Sequence, residues 1–364
     1  MREISIRINC FLYLISAVVL MVVIDKIVEE TKSKEGSAKK WTVVVGIIVG
    51  VLIGCVVFLG LFYVTEPLVD NMLSSEEIML LFDFYDKMAE SNETTVYFIG
   101  NSIVGTAVYA PLIDEKLLNQ GYNISSYNLL SDGETPLLRA LQIEKIAESH
   151  PALVIYGMSY AYVNQGNWIE ERTVLAQGRY NLTPELASLY SEDELADLTR
   201  NLFFYKKGLL LRSTILPSSA RTTENYVKEP YGIELRMDFD QAKSIDKIQD
   251  TVNSSVPVVT ENMTRYKQAL IYNIQTLQKA GIPVIIINMP IHPLLSEKIT
   301  DETRQNYFDL LNLTGATWID METLYDDEHF RDTQHTTWNG SQDFSLNMVD
   351  LIIKQVENNV IHYS

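Results

Sequence analysis

The chain has 364 residues, 47% of them hydrophobic, a formal net charge of −18 and only two cysteines. Its length suits one large domain or two ordinary ones, and its acidity disfavours nucleic acid or anionic lipid headgroups as partners. Because Cys10 and Cys55 both lie in apolar runs near the N-terminus, the rest of the chain can hold neither a cysteine nucleophile nor a cysteine metal site.

The N-terminal part contains two apolar runs, at residues 8–24 and 42–64. The second is uncharged and, as a helix rising ~1.5 Å per residue, would be roughly 34 Å long, enough to cross a ~30 Å hydrocarbon core. The first could be a signal peptide, but Val-Ile-Asp-Lys follows it instead of a small-x-small cleavage site, which favours an anchor. We therefore expect residues 1–66 to form a membrane anchor with two transmembrane helices in a lipid bilayer.

The charges beside these runs predict the orientation of the chain. Five lysines lie between the runs, whereas only Arg2 and Arg7 precede them, so the positive-inside rule places residues 65–364 outside the cytoplasm. Residues 1–64 hold 7 of the 29 basic and 5 of the 47 acidic residues, which leaves 22 against 42 and a net charge of −20 for the remainder. Seven Asn-x-Ser/Thr sequons, all after the second run, favour an exported glycoprotein. They begin at Asn92, Asn123, Asn181, Asn253, Asn262, Asn312 and Asn339.

Beyond the anchor, residues 67–93 have the apolar spacing of a connecting helix, and continuous apolar runs then alternate with helical patterns. This alternation predicts an α/β domain over residues 94–364, with about five parallel strands covered on both faces. The predicted strands are Thr95–Gly100, Ile124–Leu129, Ala152–Tyr156, Ile282–Asn288 and Ala316–Asp320. The main predicted helices are Val104–Asn119, Thr135–Ser149, Asn262–Ala280 and Asn339–Glu357, with a further helix ending near Leu313. Residues 160–257 do not follow the alternation and are interpreted as a mostly helical insertion.

Polar or glycine residues follow several of the predicted strands. Ser102 follows the first strand, Gly133 the second and Ser159 the third, while Asp332 and His335 come after the fifth. Since functional groups gather at the carboxyl ends of parallel strands, these residues are expected to meet at one sheet edge. A serine, a histidine and an aspartate can then act as nucleophile, base and orienting acid. The hypothesis requires Ser102 Oγ to lie roughly 2.6–3.2 Å from a ring nitrogen of His335.

These residues carry a resemblance to the SGNH (GDSL-type) hydrolase family. Gly100-Asn101-Ser102 resembles the serine turn of that family, the segment from Asn128 to Gly133 resembles its glycine block, and Asp332 with His335 matches its Asp-x-x-His block. The likeness covers roughly residues 94–350 without the insertion. It is closest to a membrane-associated branch that acylates cell-surface polysaccharides, in which a Pro-x-His-Pro turn like that at His292 also occurs. The resemblance implies a flavodoxin-like three-layer α/β/α sandwich.

The resemblance also implies roles for individual residues. Ser102 would be the nucleophile, and the oxyanion hole would use backbone N–H groups of Ser102 and Gly133. The family has Gly-x-Asn after the third strand, where this chain has Gly157-Met158-Ser159. The Ser159 hydroxyl, or Asn164 from the insertion, would have to replace the missing asparagine, whose loss can cost about 10²–10³ in rate. Asn101, Asn164 and His292 are candidate substrate contacts.

The function expected from these features is that of a membrane-anchored, extracytoplasmic serine esterase or O-acyltransferase. Its substrate would be an acylated cell-surface glycan or another acyl ester, with no cofactor, no metal and no nucleic-acid partner. One alternative is a non-catalytic scaffold or glycan-binding protein of the cell envelope, and another is an acyl carrier that works with a multi-span acyl-transfer protein. Ser102 could instead merely cap a helix. Asp320, Asp332 and His335 could instead bind a metal ion.

Overall fold

The structure, a computed structural model, describes residues 77–131, 133–160, 183–193, 223–230, 243–259 and 264–361, and the helical glycines 46, 50 and 54. Contacts divide the chain into two compact units, Met1–Asn71 and Met72–Ser364, and the fold below belongs to the second. Within the described ranges, no helix combines the length and apolar character needed to cross a membrane. The predicted spans at 8–24 and 42–64 lie outside these ranges except for the three glycines.

Five strands form one sheet, and every neighbouring pair is parallel. Their order in the sheet is β2-β1-β3-β4-β5. The predicted α/β fold with about five parallel strands is therefore confirmed, and the strand bounds differ from the predicted ones by only one or two residues. The strands are β1 (Thr95–Gly100), β2 (Ser125–Leu130), β3 (Leu153–Met158), β4 (Val284–Asn288) and β5 (Thr317–Asp320).

The helices alternate with these strands. The longer ones are α1 (Glu77–Ala89), α3 (Ala110–Asn119), α8 (Ile245–Ser254), α9 (Thr264–Lys279), α11 (Asp301–Leu313) and α12 (Trp338–Glu357). The shorter ones are α2 (Ser102–Ala107), α4 (Pro136–Ala140), α5 (Ile143–Glu148), α6 (Pro184–Ala187), α7 (Thr223–Lys228), α10 (Pro293–Ser296) and a 3₁₀ turn at Asp327–His329. Helices α6, α7 and α8 come from the predicted insertion, most of which lies outside the described residues.

Two helices that were predicted as continuous are each divided into two. The predicted helix Val104–Asn119 is interrupted at Val108, which is extended, and α3 then begins with a proline in its first turn. The side-chain amide of Asn128 donates to the carbonyls of Gly105 at 3.2 Å and Val108 at 2.8 Å. This tertiary contact satisfies carbonyls that a continuous helix would have used itself. The second interruption separates α4 from α5 at Leu141 and Gln142.

Alternate residues of the strands point to opposite faces of the sheet and enter separate apolar clusters. Tyr97 and Ile99 pack in one cluster with residues of α1, α5, α9 and α11. Val96 and Phe98 pack in the other with residues of α2, α3 and α12. Because both faces are covered by apolar side chains, the polar residues that follow the strands are confined to the edge of the sheet.

Gly100 and Gly157 allow α2 to pack unusually close to the ends of β1 and β3. A Cβ atom on Gly157 would lie 2.2 Å from Val104 Cγ2 and 2.9 Å from Met289 Sδ. A Cβ atom on Gly100 would lie 2.5 Å from Val104 Cγ2, and the φ angle of +149° at this residue also disfavours a side chain. These two glycines therefore determine how closely α2, which begins at Ser102, approaches the sheet.

We expect Gly157→Ala to lower the free energy of unfolding by about 1–3 kcal/mol, because the added methyl group overpacks the site. Urea unfolding would measure this loss. The variant Gly157→Ala/Val104→Ala removes the nearest clashing atom and should be less destabilised than the sum of the two single substitutions. Additive losses would show that Val104 does not limit the space at Gly157.

Candidate active site

Ser102, His335 and Asp332 form a continuous chain of hydrogen bonds. The distance from Ser102 Oγ to His335 Nε2 is 2.9 Å, within the range expected from the sequence. On the other side of the imidazole, Nδ1 lies 3.0 Å from Asp332 Oδ1 and 3.1 Å from Asp332 Oδ2. With its proton on Nδ1, His335 can donate to Asp332 and accept the Ser102 hydroxyl proton on Nε2. The two sequence stretches thus meet in the order that a nucleophile, a base and an orienting acid require.

A short closed turn presents Asp332 and His335 on the same side. The backbone N–H of Arg331 donates to the carbonyl of His335 at 2.9 Å, and Phe330 forms a bridge with Thr336. Asp332 Oδ1 accepts backbone N–H groups of Gln334 at 3.0 Å and His335 at 2.9 Å. The carboxylate therefore stabilises the turn that carries its own histidine partner. The Asp-x-x-His spacing is what allows one carboxylate to contact both the backbone of this turn and the histidine ring.

Backbone contacts attach this turn to two other parts of the fold, and a third closes its base. The N–H of His292 donates to the Thr333 carbonyl at 3.0 Å, and the N–H of Lys243 donates to the Arg331 carbonyl at 2.8 Å. At the start of α12, the N–H of Thr337 donates to the carbonyl of His329 at 2.9 Å. The orientation of the Asp332 turn is therefore determined by long-range contacts as well as by its own hydrogen bonds.

Asp332 is held in its ionised form. Burial disfavours the charge, but hydrogen bonds from the His335 ring, the charge of His335 and the backbone N–H groups of His335 and Gln334 outweigh it and lower the pKa of Asp332. The ammonium group of Lys243 lies 3.8 Å from Asp332 Oδ2, and Arg331 Nε lies 3.9 Å from the same oxygen. The Asp332 side chain is 12% exposed and that of His335 31% exposed, so the acid is covered and the base is accessible.

Ser102 is the first residue of α2, directly after the residue that caps this helix. Asn101 Oδ1 accepts the N–H of Ile103 at 3.0 Å, so its side-chain oxygen is used within the protein. The N–H of Ser102 has no partner within the helix, because the first four N–H groups of any helix lack one. This N–H is therefore a group that could donate to an oxyanion beside Ser102, and we assign no role to a helix dipole because α2 has only six residues.

Gly133 and Ser159 follow β2 and β3, the two strands that lie on either side of β1. Gly133 has a φ angle of +63° in a turn that is closed by a 3.1 Å hydrogen bond from the N–H of Glu134 to the Ser131 carbonyl. Ser159 is 1% exposed, and among the residues that the structure describes its Oγ has no hydrogen-bond partner. A buried hydroxyl without a partner is costly, so one at the end of β3 is an available donor for a ligand.

We expect Ser159→Ala to lower kcat by about 10²-fold with little change in KM, because the hydroxyl would act mainly on the charge that develops in the transition state. The same substitution removes a buried hydroxyl that lacks a partner, so thermal stability should be unchanged or higher. Steady-state kinetics and thermal unfolding together separate the two effects. An unchanged kcat would exclude Ser159 from the oxyanion hole.

A buried polar network anchors the residue after Ser159. The hydroxyl of Tyr160 donates to Glu322, whose other oxygen accepts Ser296 Oγ at 2.5 Å and Arg304 Nη2 at 2.6 Å. Burial opposes ionisation of Glu322, but the hydrogen bonds from Arg304, Ser296 and Tyr160 lower its pKa. The network joins the end of β3 to α10 and α11 and so restrains the backbone beside Ser159.

The remaining predicted site residues have different surroundings. His292 is completely buried, its Nδ1 accepts the N–H of Leu294 at 3.1 Å, and its Nε2 lies 3.8 Å from Asp327 Oδ1. Burial lowers the pKa of His292, against the opposing charges of Asp327 and Asp332. Among the residues that the structure describes, His292 Nε2 has no hydrogen-bond partner. Asn164 lies outside the described residues.

The alternative metal site at Asp320, Asp332 and His335 gains no support from the contacts of Asp320. Asp320 Oδ1 accepts the side-chain amide of Asn288 at 2.7 Å and the N–H of Glu322 at 3.1 Å. Across the described ranges, no group of three or more His, Cys, Asp or Glu residues has an arrangement that could hold a metal ion.

One feature near the site was missed by the sequence analysis. Glu134 and Arg139 form a completely buried ion pair, and Arg139 also donates to the Leu129 carbonyl at 3.0 Å. The available signal was an arginine in the apolar stretch Leu137–Leu141, at a position where helix periodicity predicts a core side chain.

Comparison with known proteins adds little to this description. A family model of uncharacterised function matches residues 224–357, slightly more than a third of the chain. The matched part includes β4, β5, Asp332 and His335, whereas Ser102, Gly133 and Ser159 precede it. No curated protein sequence matches the chain.

Proposed function

We propose that this protein is a serine esterase or O-acyltransferase of the SGNH type, with Ser102 as its nucleophile. The observation that carries the proposal is the hydrogen-bonded chain from Ser102 through His335 to the ionised Asp332. The positions of Gly133 and Ser159 after β2 and β3, which flank the strand that leads to Ser102, support an oxyanion hole beside it. The strand order β2-β1-β3-β4-β5 and the two covered sheet faces support a flavodoxin-like sandwich.

The proposed reaction has two steps. Ser102 Oγ forms a bond to the acyl carbonyl carbon while its proton moves to His335 Nε2, and the carbonyl oxygen becomes an oxyanion. The bond to the alcohol oxygen then breaks, and that oxygen takes the proton from His335, which leaves an acyl-serine. In the second step His335 removes a proton from water or from an acceptor hydroxyl, whose oxygen bonds to the acyl carbon. The bond from that carbon to Ser102 Oγ then breaks, and Ser102 Oγ takes the proton back from His335. Water gives hydrolysis, and a glycan hydroxyl gives O-acyl transfer.

Turnover of p-nitrophenyl acetate by the full-length chain tests this proposal. The wild type is expected to release p-nitrophenol above background, and Ser102→Ala is expected to abolish the release. Ser254→Ala provides the matched control, because Ser254 is an exposed serine of α8 whose hydroxyl donates to the Thr251 carbonyl at 3.0 Å. Equal rates for wild type and Ser102→Ala would contradict the proposal.

The proposal includes a location at a membrane, with residues 65–364 outside the cytoplasm. It is supported by the two apolar runs, the five lysines between them and the acidic remainder of the chain. An acylated surface glycan is the substrate that such a location would present, and a multi-span acyl-transfer protein could supply the acyl group.

Single engineered cysteines can test this orientation, since the chain contains only Cys10 and Cys55. In a Cys10→Ser/Cys55→Ser background, we expect Asn92→Cys to react with a membrane-impermeant maleimide on intact cells, because Asn92 is exposed. Ser37→Cys, in the lysine-rich loop, should react only after the cells are permeabilised. The reverse labelling pattern would show the opposite orientation.

A second candidate function is that of a non-catalytic scaffold or glycan-binding protein of the cell envelope. It is favoured by Gly157-Met158-Ser159, because a serine stands where the family has its oxyanion asparagine. This candidate predicts glycan binding that is unchanged by Ser102→Ala, without any serine-dependent turnover.

A further inference from the structure

The ion pair between Glu134 and Arg139 joins two charged side chains that are both 0% exposed. Arg139 Nε donates to Glu134 Oε1 at 2.7 Å, and Arg139 Nη2 donates to Glu134 Oε2. This two-point contact fixes the guanidinium plane relative to the carboxylate. The ion pair therefore fixes the relative orientation of the two side chains, in addition to the attraction between their charges.

The same guanidinium also contacts the ends of two strands. Arg139 Nη2 donates to the Leu129 carbonyl in β2 at 3.0 Å and lies 3.5 Å from the Gly100 carbonyl at the end of β1. Its Nη1 donates to Gln142 Oε1 at 3.2 Å and lies 3.5 Å from the Tyr85 hydroxyl of α1. One side chain thus links β1, β2, α1 and the junction between α4 and α5.

These contacts lie directly beside the two backbone segments that would form the oxyanion hole. Glu134 follows Gly133 and closes its turn through the hydrogen bond to the Ser131 carbonyl. Gly100 is separated from Ser102 only by Asn101. Arg139 contacts the Gly133 turn through Glu134 and the end of β1 through the Gly100 carbonyl, which also accepts the backbone N–H of Ser131 at 3.0 Å.

A gain in the stability of the fold does not by itself explain why these two charges are buried together. Moving two charges out of water costs free energy, and replacement of a buried ion pair by apolar side chains of similar size is often neutral or stabilising. What apolar side chains cannot reproduce is the directional contact to the two strand-end carbonyls and to the residue after Gly133.

We propose that Glu134 and Arg139 are positioning residues that hold the Gly133 turn at a fixed distance from Ser102 and so align the oxyanion donors. This inference rests on the proposed serine-acyl chemistry. Neither residue needs to contact substrate, because both side chains are completely buried.

The variant Glu134→Leu/Arg139→Met tests this role in the full-length chain, because it removes both charges and leaves neither buried without a partner. We expect thermal stability close to that of the wild type, a kcat lowered by about 10²-fold and a KM within about threefold, since small misplacements of catalytic groups have effects of this size. Lys145→Met is the control, because its ion pairs with Asp86 and Glu148 are exposed. It should leave kcat unchanged.

Amide hydrogen exchange measures the positioning itself. Faster exchange in peptides covering residues 98–104 and 129–135 of the double variant, with α12 unchanged, is the expected result. Wild-type exchange in both peptides, or wild-type kcat in a folded double variant, would overturn the inference. If the wild type itself shows no turnover that depends on Ser102, the proposed function fails, and hydrogen exchange still decides whether the pair holds the two segments together.

Discussion

His335→Asn is expected to lower kcat for acyl-ester turnover by at least about 10³-fold, because removal of the base leaves the Ser102 proton without an acceptor. The distance of 2.9 Å between His335 Nε2 and Ser102 Oγ makes this ring the only described group in contact with the hydroxyl proton. Steady-state kinetics with p-nitrophenyl acetate would measure the loss.

Two further variants test whether the loss of kcat is specific to His335 and depends on Ser102. His150→Asn is a matched control at an exposed histidine with a φ angle of +51°, a conformation that asparagine accommodates. It should retain wild-type kcat. Ser102→Ala/His335→Asn should be no slower than either single variant, because residues that act as one unit have strongly non-additive effects. If the loss of kcat in the double variant equalled the product of the losses in the two single variants, the idea of one shared proton transfer would be contradicted.

The second large effect is expected for Asp332→Asn, which should lower kcat by about 10³–10⁴-fold. The asparagine can still accept the backbone N–H groups of Gln334 and His335, so the turn should persist. Its side-chain N–H can donate a hydrogen bond to His335 Nδ1, which favours the tautomer with hydrogen on Nε2 and so prevents Nε2 from accepting the Ser102 proton. Asp350→Asn, at an exposed position of α12, is the control.

Asp332→Asn should also change how stability depends on pH. The pKa of Asp332 is lower in the folded protein than the ordinary value of about 3.9, so its ionised form stabilises the fold fully above that value. This contribution is lost as pH falls through the lowered pKa. Urea unfolding between about pH 3 and pH 7 should therefore show that the wild type has a higher free energy of unfolding than Asp332→Asn, and that this difference shrinks towards low pH. A difference that does not change with pH would contradict this linkage.

The sheet could be predicted because each of its strands is a local property of the sequence. Runs such as Val284 to Ile287 are continuously apolar, are buried on both faces and are separated by helical patterns of ordinary length. The interruption of the predicted helix Val104–Asn119 has a local signal in Pro111, which lacks the N–H that a continuous helix would need there. The contacts of Asn128 with the freed carbonyls have no local signal, because they join residues 20 or more positions apart.

The candidate site also has some residues that the sequence predicts and others that it does not. Ser102, Asp332 and His335 were predictable because each follows a strand, and parallel strands bring their carboxyl ends together. The network beside Ser159 was not predictable, because Tyr160 and Glu322 are 162 positions apart and no local pattern pairs them. For Arg139, a charge within an apolar helix indicates a buried partner but does not identify Glu134.

Mass spectrometry of the full-length chain after treatment with a fluorophosphonate is the most direct test of Ser102 as an activated nucleophile. We predict a stable adduct on the peptide that contains Ser102, which depends on His335 and is absent in Ser102→Ala, with Ser254 unmodified. A chain that remains unlabelled, or that is labelled equally in wild type and His335→Asn, would contradict the account.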